Sequence, residues 1–367
     1  MLLGCGSALR RVPQPAYENM TEFRGSGVEV EEVVAALPSQ VRFVGACLGQ
    51  VAAAKVLRCS IHVERLAIES DAVGFRALDE AATTARGLLV SAEDPPASTL
   101  CELSLRRNEI DAAGARALAR LVLRVAPGLE RLYVGGNPIG DEGAQALSDI
   151  VARCQHLEVI DLSDCELSDD ACFVLARALR KRTAHVDISR NPRITDRGIA
   201  ALARVSETLD AAGCDARSVE SLLPALRRSK GLRDLALADT GLDPRSAADL
   251  VDLLLSKTSR IRRLDLSSNP LTPRAAARKT ARIILDSILP GADADPAPDD
   301  VCALCAIAAA LRSALAAPDL ELLRLNDVGA RPPHEKLLKG ALAKHPRLHI
   351  DLRANPLLRV HDKFNIM

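Results

Sequence analysis

Tryptophan is absent from this 367-residue chain, and aromatic residues make up only 2% of it, five Phe and two Tyr. A core made without large rings has to be aliphatic, which suits thin layers stacked on one another better than a compact enzyme. Net charge is missing too. Lys+Arg and Asp+Glu both number 48, so no global field draws the chain to nucleic acid or to an anionic membrane surface. No hydrophobic run is long enough to cross a bilayer; the longest, around Val301 to Leu311, falls far short. Neither a Walker-type phosphate loop, a nucleophile elbow nor a paired-carboxylate motif occurs, and Gly135-Gly136 and Gly25-Ser26-Gly27 read as ordinary turns. The basic stretches "RRLDL" and "RKTAR" lack the interleaved aromatics of a single-strand binder. These absences argue against catalysis, cofactors, nucleic acid and membrane.

Cysteine is present without a framework. Ten are scattered through apolar stretches, which in a chain this long reads as reduced core residues of a cytoplasmic compartment. Cys302-Ala-Leu-Cys305 is a lone CxxC with no second pair and no histidine at ligand spacing, so core packing is expected and no metal. The seven histidines, at 62, 156, 185, 334, 345, 349 and 361, are dispersed. The opening "MLLGCGSALRR" has two arginines and no acid, as a short mitochondrial presequence does, but little serine. Asn19-Met20-Thr21 is a formal glycosylation sequon with nothing else to suggest secretion.

What the chain does have is a repeated phrase, apolar–x–apolar–x–x–Asn–Pro, as in "LYVGGNPI", "VDISRNPRI", "LDLSSNPL" and "IDLRANPLL". Leu100, Leu103 and Leu105 stand eight, five and three residues before Asn108, and the same offsets place Leu129, Leu132 and Val134 before Asn137. The positions continue through Cys165, Asn191, Cys214, Thr240, Asn269, Val328 and Asn355, with a weaker copy ending at Asp71. Subtraction gives intervals of 29, 28, 26, 23, 26 and 29 from Asn108 to Asn269, then 59 and 27. Such regularity is the signature of a solenoid.

Each unit changes period half-way. The first half alternates apolar and polar, as a short strand does. The second recurs every three and four residues, as in Gly114-Ala115, Leu118 and Leu121, with Asp111, Asp141 and Asp169 near the start of the predicted helices. The pattern L-x-x-L-x-L-x-x-N-x-I/L-x-D-x-G-A-x-x-L, nearly complete in Leu100–Leu118 and Leu129–Leu147, resembles the leucine-rich repeat family in its ribonuclease-inhibitor-like subclass. The resemblance implies an α/β solenoid, a horseshoe with a parallel sheet on the concave face and helices on the convex face. For function it implies a binding scaffold; Ran GTPase-activating proteins and enzyme inhibitors share the subclass and stand as alternatives, although this chain ends in "RVHDKFNIM" and not in a long acidic region.

Residues 1–55 carry no clear repeat and read as a helical cap; 56–358 form the solenoid, with a Pro/Asp-rich insertion at about 289–300; 359–367 are a tail. The Asn-type ladder (Asn108, Asn137, Cys165, Asn191, Cys214, Thr240, Asn269, Asn355) is assigned to structure. An amide both donates and accepts, so it satisfies its own turn and the neighbouring one. Val328 cannot do this, and a looser stack is expected there. The candidate binding surface is the polar side of the strands: Tyr133, Asp161, Asp187, Asp210 and Asp265, extended by Asp164 and Asp239. As a ladder of like charge with an aromatic anchor, it would dock a basic segment of a partner protein. Paired with nearby Ser163, Ser189 and Arg190, the same carboxylates are merely solvated surface. Both readings stand at this point. Partners in a cytoskeletal or ciliary assembly fit the scaffold reading, and oligomeric state is not encoded in any pattern found.

Overall fold

In the computed structural model the described residues are 17, 20–24, 38–46, 48–59, 63–90, 98–179, 184–255, 260–271, 302–314, 319–328, 330, 332–343, 345–352 and 355. The opening "MLLGCGSALRR", Asn19 of the sequon, the insertion at 289–300 and the tail at 359–367 lie outside them.

Alternation becomes strand and the 3.6-residue period becomes helix, repeat after repeat. The chain forms two compact units, one of residues 12–194 with 205–207, the other of 195–204 and 208–367 with 1–11. The first unit contains strands β1 (Thr21–Arg24), β2 (Gln40–Val44), β3 (Arg65–Glu69), β4 (Glu102–Ser104), β5 (Arg131–Tyr133), β6 (Val159–Asp161) and β7 (His185–Asp187). Its helices are α1 (Gly49–Cys59), α2 (Phe75–Val90), α3 (Ala112–Val125), α4 (Gly140–Arg153) and α5 (Asp169–Ala178). The second unit begins with α6 (Asp196–Ala203) and continues β8 (Thr208–Asp210), α7 (Leu222–Arg228), β9 (Asp234–Ala236), α8 (Pro244–Leu255), β10 (Arg263–Asp265), α9 (Ala303–Ser313), β11 (Leu322–Arg324), α10 (Pro332–Leu342) and β12 (His349–Asp351). Within each unit every strand pairs in parallel with the next in sequence, in strict repeat register: Leu103 opposite Leu132, Leu132 opposite Ile160, Leu235 opposite Leu264. This is a leucine-rich-repeat solenoid of the α/β class.

The core lies between strands and helices and is aliphatic apart from Phe43. Leu103, Leu105, Ile110, Ala115 and Leu118 of one repeat, and Leu132, Val134, Ile139, Ala144 and Leu147 of the next, are all fully buried. Each large aliphatic side chain so buried is worth about 1.5–3 kcal/mol. Helix starts are fixed by short polar side chains: Asp111 Oδ1 accepts from Gly114 N at 2.7 Å, and Ser168 and Thr195 cap α5 and α6. Asp141 bridges to the following repeat, accepting from Ser168 N and Oγ at 2.8 and 2.7 Å.

The turn after each strand follows a rule that the hydrophobic pattern does not announce. Among the described residues from Arg107 to Asp327, the residue just before the Asn-type position is left-handed: Arg107 (φ 53), Gly136 (75), Asp164 (52), Arg190 (58), Gly213 (74), Asp239 (54), Ser268 (59) and Asp327 (52). Non-glycine residues there cost about 1–2 kcal/mol each. The turn places the next side chain inside the stack. Asn137 Oδ1 accepts from Asn108 N (3.0 Å) and Ile110 N (3.2 Å) of the preceding repeat, while its Nδ2 donates to Leu105 O (2.9 Å) and Val134 O (2.6 Å). Asn191 and Asn269 make the same four bonds. At Cys165 a thiol stands in, close to Val134 O at 3.5 Å and Ser163 O at 3.3 Å, and burial pushes its pKa up to about 12.

Two expectations change. The segment read as a helical cap contains strands β1 and β2 as well as a helix, and β2 pairs with β3 in register. Val41 and Phe43 alternate inward and Gly45 supplies the left-handed turn (φ 54), so the repeat plan begins before residue 56. Nor does the ladder loosen at Val328. Strands β10 and β11 pair in register, and Asn355 Oδ1 makes the ladder's usual two bonds, to Val328 N and Ala330 N, at 3.0 Å. Val328 brings no amide to the turn before it, where Leu271 N is taken up by Asn269 O at 2.8 Å instead.

Candidate functional site

The outer face of the sheet, opposite the helices, is built from three residues per repeat: six, four and two before the Asn position. In the first unit the middle row runs Ala67, Ser104, Tyr133, Asp161, Asp187, each opposite the next. In the second unit it runs Asp210, Ala236, Asp265, Arg324, Asp351. Asp161, Asp187, Asp210 and Asp265 share one local device, an Oδ1 that accepts the backbone N–H two residues on, at 2.9–3.1 Å. Asp161 also takes the Ser163 hydroxyl at 2.7 Å.

Burial reverses the apparent sign of this face. Asp161 has no exposed side-chain surface, and the Arg106 guanidinium above it, 21% exposed, closes to 2.5 Å. The same guanidinium lies 5.1 Å from the centre of the Tyr133 ring, and Tyr133 is itself fully buried. Arg106 reaches Asp161 across a whole intervening repeat because Gly135 stands between them. A Cβ there would fall 2.4 Å from Ser163 Oγ and 2.9 Å from both Asp161 carboxylate oxygens. Burial, the largest single influence, would lower the Arg106 pKa, but the charge and hydrogen bond of Asp161, with Tyr17 and Glu69, together outweigh it and the net shift is upward. Burial, then the Glu102 carboxylate, raises the Tyr133 phenol well above its ordinary value. Its hydroxyl is buried without a hydrogen-bond partner.

The row nearer the strand start repeats the arrangement. Glu102, 3% exposed, lies between Arg65 at 3.9 Å and Arg131 at 3.4 Å, whose side chains are 25% and 28% exposed. Glu69 is held by Arg42 at 3.0 Å and by the Tyr17 hydroxyl, and Tyr17 stacks on the Arg42 guanidinium. In the second unit Arg324 lies between Asp265 (3.6 Å) and Asp351 (3.9 Å), and Arg263 pairs with Asp234 at 3.3 Å. In the first unit Glu102 and Asp161 form the floor and Arg65, Arg106 and Arg131 the accessible layer, whereas in the second unit Arg324 is itself buried.

The candidate residues therefore divide. Tyr133 is not an exposed anchor, and Asp161 and Asp187 are buried, so the ladder expected to meet a basic segment is covered. Asp164 and Asp239 are exposed, but as left-handed turn residues at the edge of the face, and Asp210 and Asp265 are half-buried. Asp161 and Asp187 are direct partners across β6 and β7; Asp210, Asp239 and Asp265 belong to the other unit. The arginines carried the missed signal: an Arg two before the Asn, a Gly at that place in the next repeat, and an Asp in the repeat after.

The CxxC is buried, as core packing requires, but a histidine does lie close. Cys302 Sγ is 3.6 Å from His334 Nε2, which sequence separation concealed. The Cys305 thiol, hydrogen-bonded to Cys302, holds the Cys302 pKa well below the ordinary range, against burial and with help from His334; the Cys305 pKa rises correspondingly.

The family model "Leucine Rich repeat" matches residues 97–119, 128–148, 153–176 and 185–203. Ribonuclease inhibitor from Sus scrofa is 29% identical over 208 residues, 54% of this chain and 45% of that protein. Leucine-rich repeat-containing protein 73 from Homo sapiens is 27% identical over 190 residues, 48% of this chain and 60% of that one. NACHT, LRR and PYD domains-containing protein 5 from Homo sapiens is 31% identical over 186 residues, 47% of this chain and 15% of that one. The chain thus spans less than two thirds of the length of each. Repeat, register and relatives agree: the chain is a leucine-rich repeat protein of the ribonuclease-inhibitor-like kind.

Proposed function

We propose that the chain is a non-enzymatic protein-interaction scaffold, acting in the cytoplasm, whose first-unit sheet face docks an acidic segment of a partner protein. The observation that carries this reading is the layering of charge: Glu102 and Asp161 are buried while Arg65, Arg106 and Arg131 lie above them, with Arg107 exposed at the turn. Each guanidinium has five N–H donors in a fixed fork, and the buried carboxylate occupies only part of it. The remaining donors are held in place by the floor, so a carboxylate-rich segment meets a surface whose side-chain entropy is already spent. Overall neutrality makes long-range steering weak, leaving short-range N–H···O contacts to set specificity. A relative named as an inhibitor of an enzyme fits a protein that works by holding another protein.

Selection from a random peptide display library tests this. The wild-type chain should enrich segments rich in Asp and Glu. Arg107→Glu combined with Arg131→Gln, which leaves Arg65 facing Glu102, should lose that enrichment at least about tenfold, the loss of one charge-assisted contact. Enrichment of Lys- and Arg-rich segments by the wild type would overturn the acidic-partner reading.

A further inference from the structure

We propose that Cys302, Cys305 and His334 form a zinc site joining the N-terminal ends of α9 and α10. All three residues are buried, and their ligand atoms lie within 4.8 Å of one another. Zinc bound tetrahedrally by a thiolate at about 2.3 Å and an imidazole nitrogen at about 2.0–2.1 Å holds those two atoms about 3.6 Å apart. Cys302 Sγ and His334 Nε2 are 3.6 Å apart. Two thiolates at the same angle stand about 3.8 Å apart, within the limits of the cluster.

Local structure directs the three groups to one point. Cys302 is the N-cap of α9, in extended conformation (φ −87, ψ 108), and its side chain makes no capping bond. Cys305 follows in the first turn, where its N–H donates to Cys302 O at 3.1 Å and fixes the CxxC loop. His334 is the third residue of α10, in the next repeat, so the ligands come from two successive helix starts. The positive ends of both helices favour thiolates there. Two thiolates and an imidazole are the donor set of borderline-soft zinc and not of Mg²⁺ or Ca²⁺. Among the described residues three ligands are supplied, leaving the fourth position for water or a further ligand. Both cysteines lie in the long repeat, where 59 residues separate Asn269 from Val328 against 23 to 29 in the repeats before it. An ion shared by α9 and α10 would clamp the helix after this lengthened interval to its neighbour. On binding, each thiol passes its proton to solvent, so no redox partner is required.

The full chain, purified reduced without chelator, tests the site by zinc analysis and by titration with Co²⁺. Wild type should carry about one zinc per chain, and Cys302→Ser and His334→Ala should each fall below about a tenth of that, while Cys172→Ser, remote in sequence, keeps it. Replacing zinc by Co²⁺ in the wild type should give thiolate-to-metal charge transfer and the intense d–d bands of a tetrahedral site, a readout that does not depend on any variant folding. Wild-type protein that carries no zinc, and shows only the weak bands of octahedral Co²⁺, would overturn the proposal and leave the cluster a buried thiol–imidazole hydrogen bond.

Discussion

Replacing Arg106 by methionine isolates the device on which the sheet face depends. The variant keeps an unbranched stem over the Tyr133 ring but removes the guanidinium from Asp161, a carboxylate with no exposed surface. Deleting one partner of a buried pair costs about 3–5 kcal/mol because the remaining charge stays desolvated. Two features reduce that here. Arg106 is 21% exposed, so water reaches the carboxylate when it leaves, and Ser163 N and Oγ still donate to Asp161. A loss of about 2–3 kcal/mol is expected, read as the shift of urea unfolding followed by circular dichroism. The second arm is Arg106→Met with Asp161→Asn, which removes the stranded charge and keeps an acceptor for Ser163. It should recover at least about half of the loss, a coupling of about 1 kcal/mol or more. A single variant within about 0.5 kcal/mol of wild type, or a double variant no better than the sum of the singles, would refute the reasoning.

Other substitutions test the remaining links. Asn269→Ala removes bonds to Thr240 N, Leu242 N, Leu237 O and Leu266 O; leaving these buried groups unpaired should cost at least about 3 kcal/mol in chemical denaturation. Cys165→Asn should act in the opposite sense, raising stability by about 1 kcal/mol as an amide replaces a thiol at a position built for one, measured as a rise in Tm. Tyr133→Phe deletes a buried hydroxyl that has no partner, so unfolding should show no loss and a gain of up to about 1 kcal/mol.

The fold was legible because it depends on period. The offsets of Leu100, Leu103 and Leu105 from Asn108 were enough to specify strand, turn and helix, and they recur in register with Leu129, Leu132 and Val134. The copy ending at Asp71 was legible though weak, but the repeat before it escaped notice because its Asn position is filled by Ala46, leaving only Val41, Phe43 and the left-handed Gly45 to mark a strand. The face was legible in residue type and not in depth. Asp161 and Tyr133 were found at the right register, but alternation says only which side a residue faces. Whether a neighbour two repeats away covers it depends on the reach of an arginine past a glycine, and the pattern of leucines does not contain that. His334 was hidden for a related reason: it lies 32 residues from Cys302, and only stacking of the helices brings their first turns together.

The central claim is that this face meets its partner through arginine and not through aspartate. Quantitative affinity purification from cells expressing wild type, Arg107→Glu with Arg131→Gln, or Asp164→Lys separates the two. All three chains should fold, since Arg107 and Asp164 are exposed turn residues and Arg65 still faces Glu102 when Arg131 is replaced. Partners recovered by wild type and by Asp164→Lys but lost from the arginine variant are the predicted result. Partners lost from Asp164→Lys and retained by the arginine variant would contradict it.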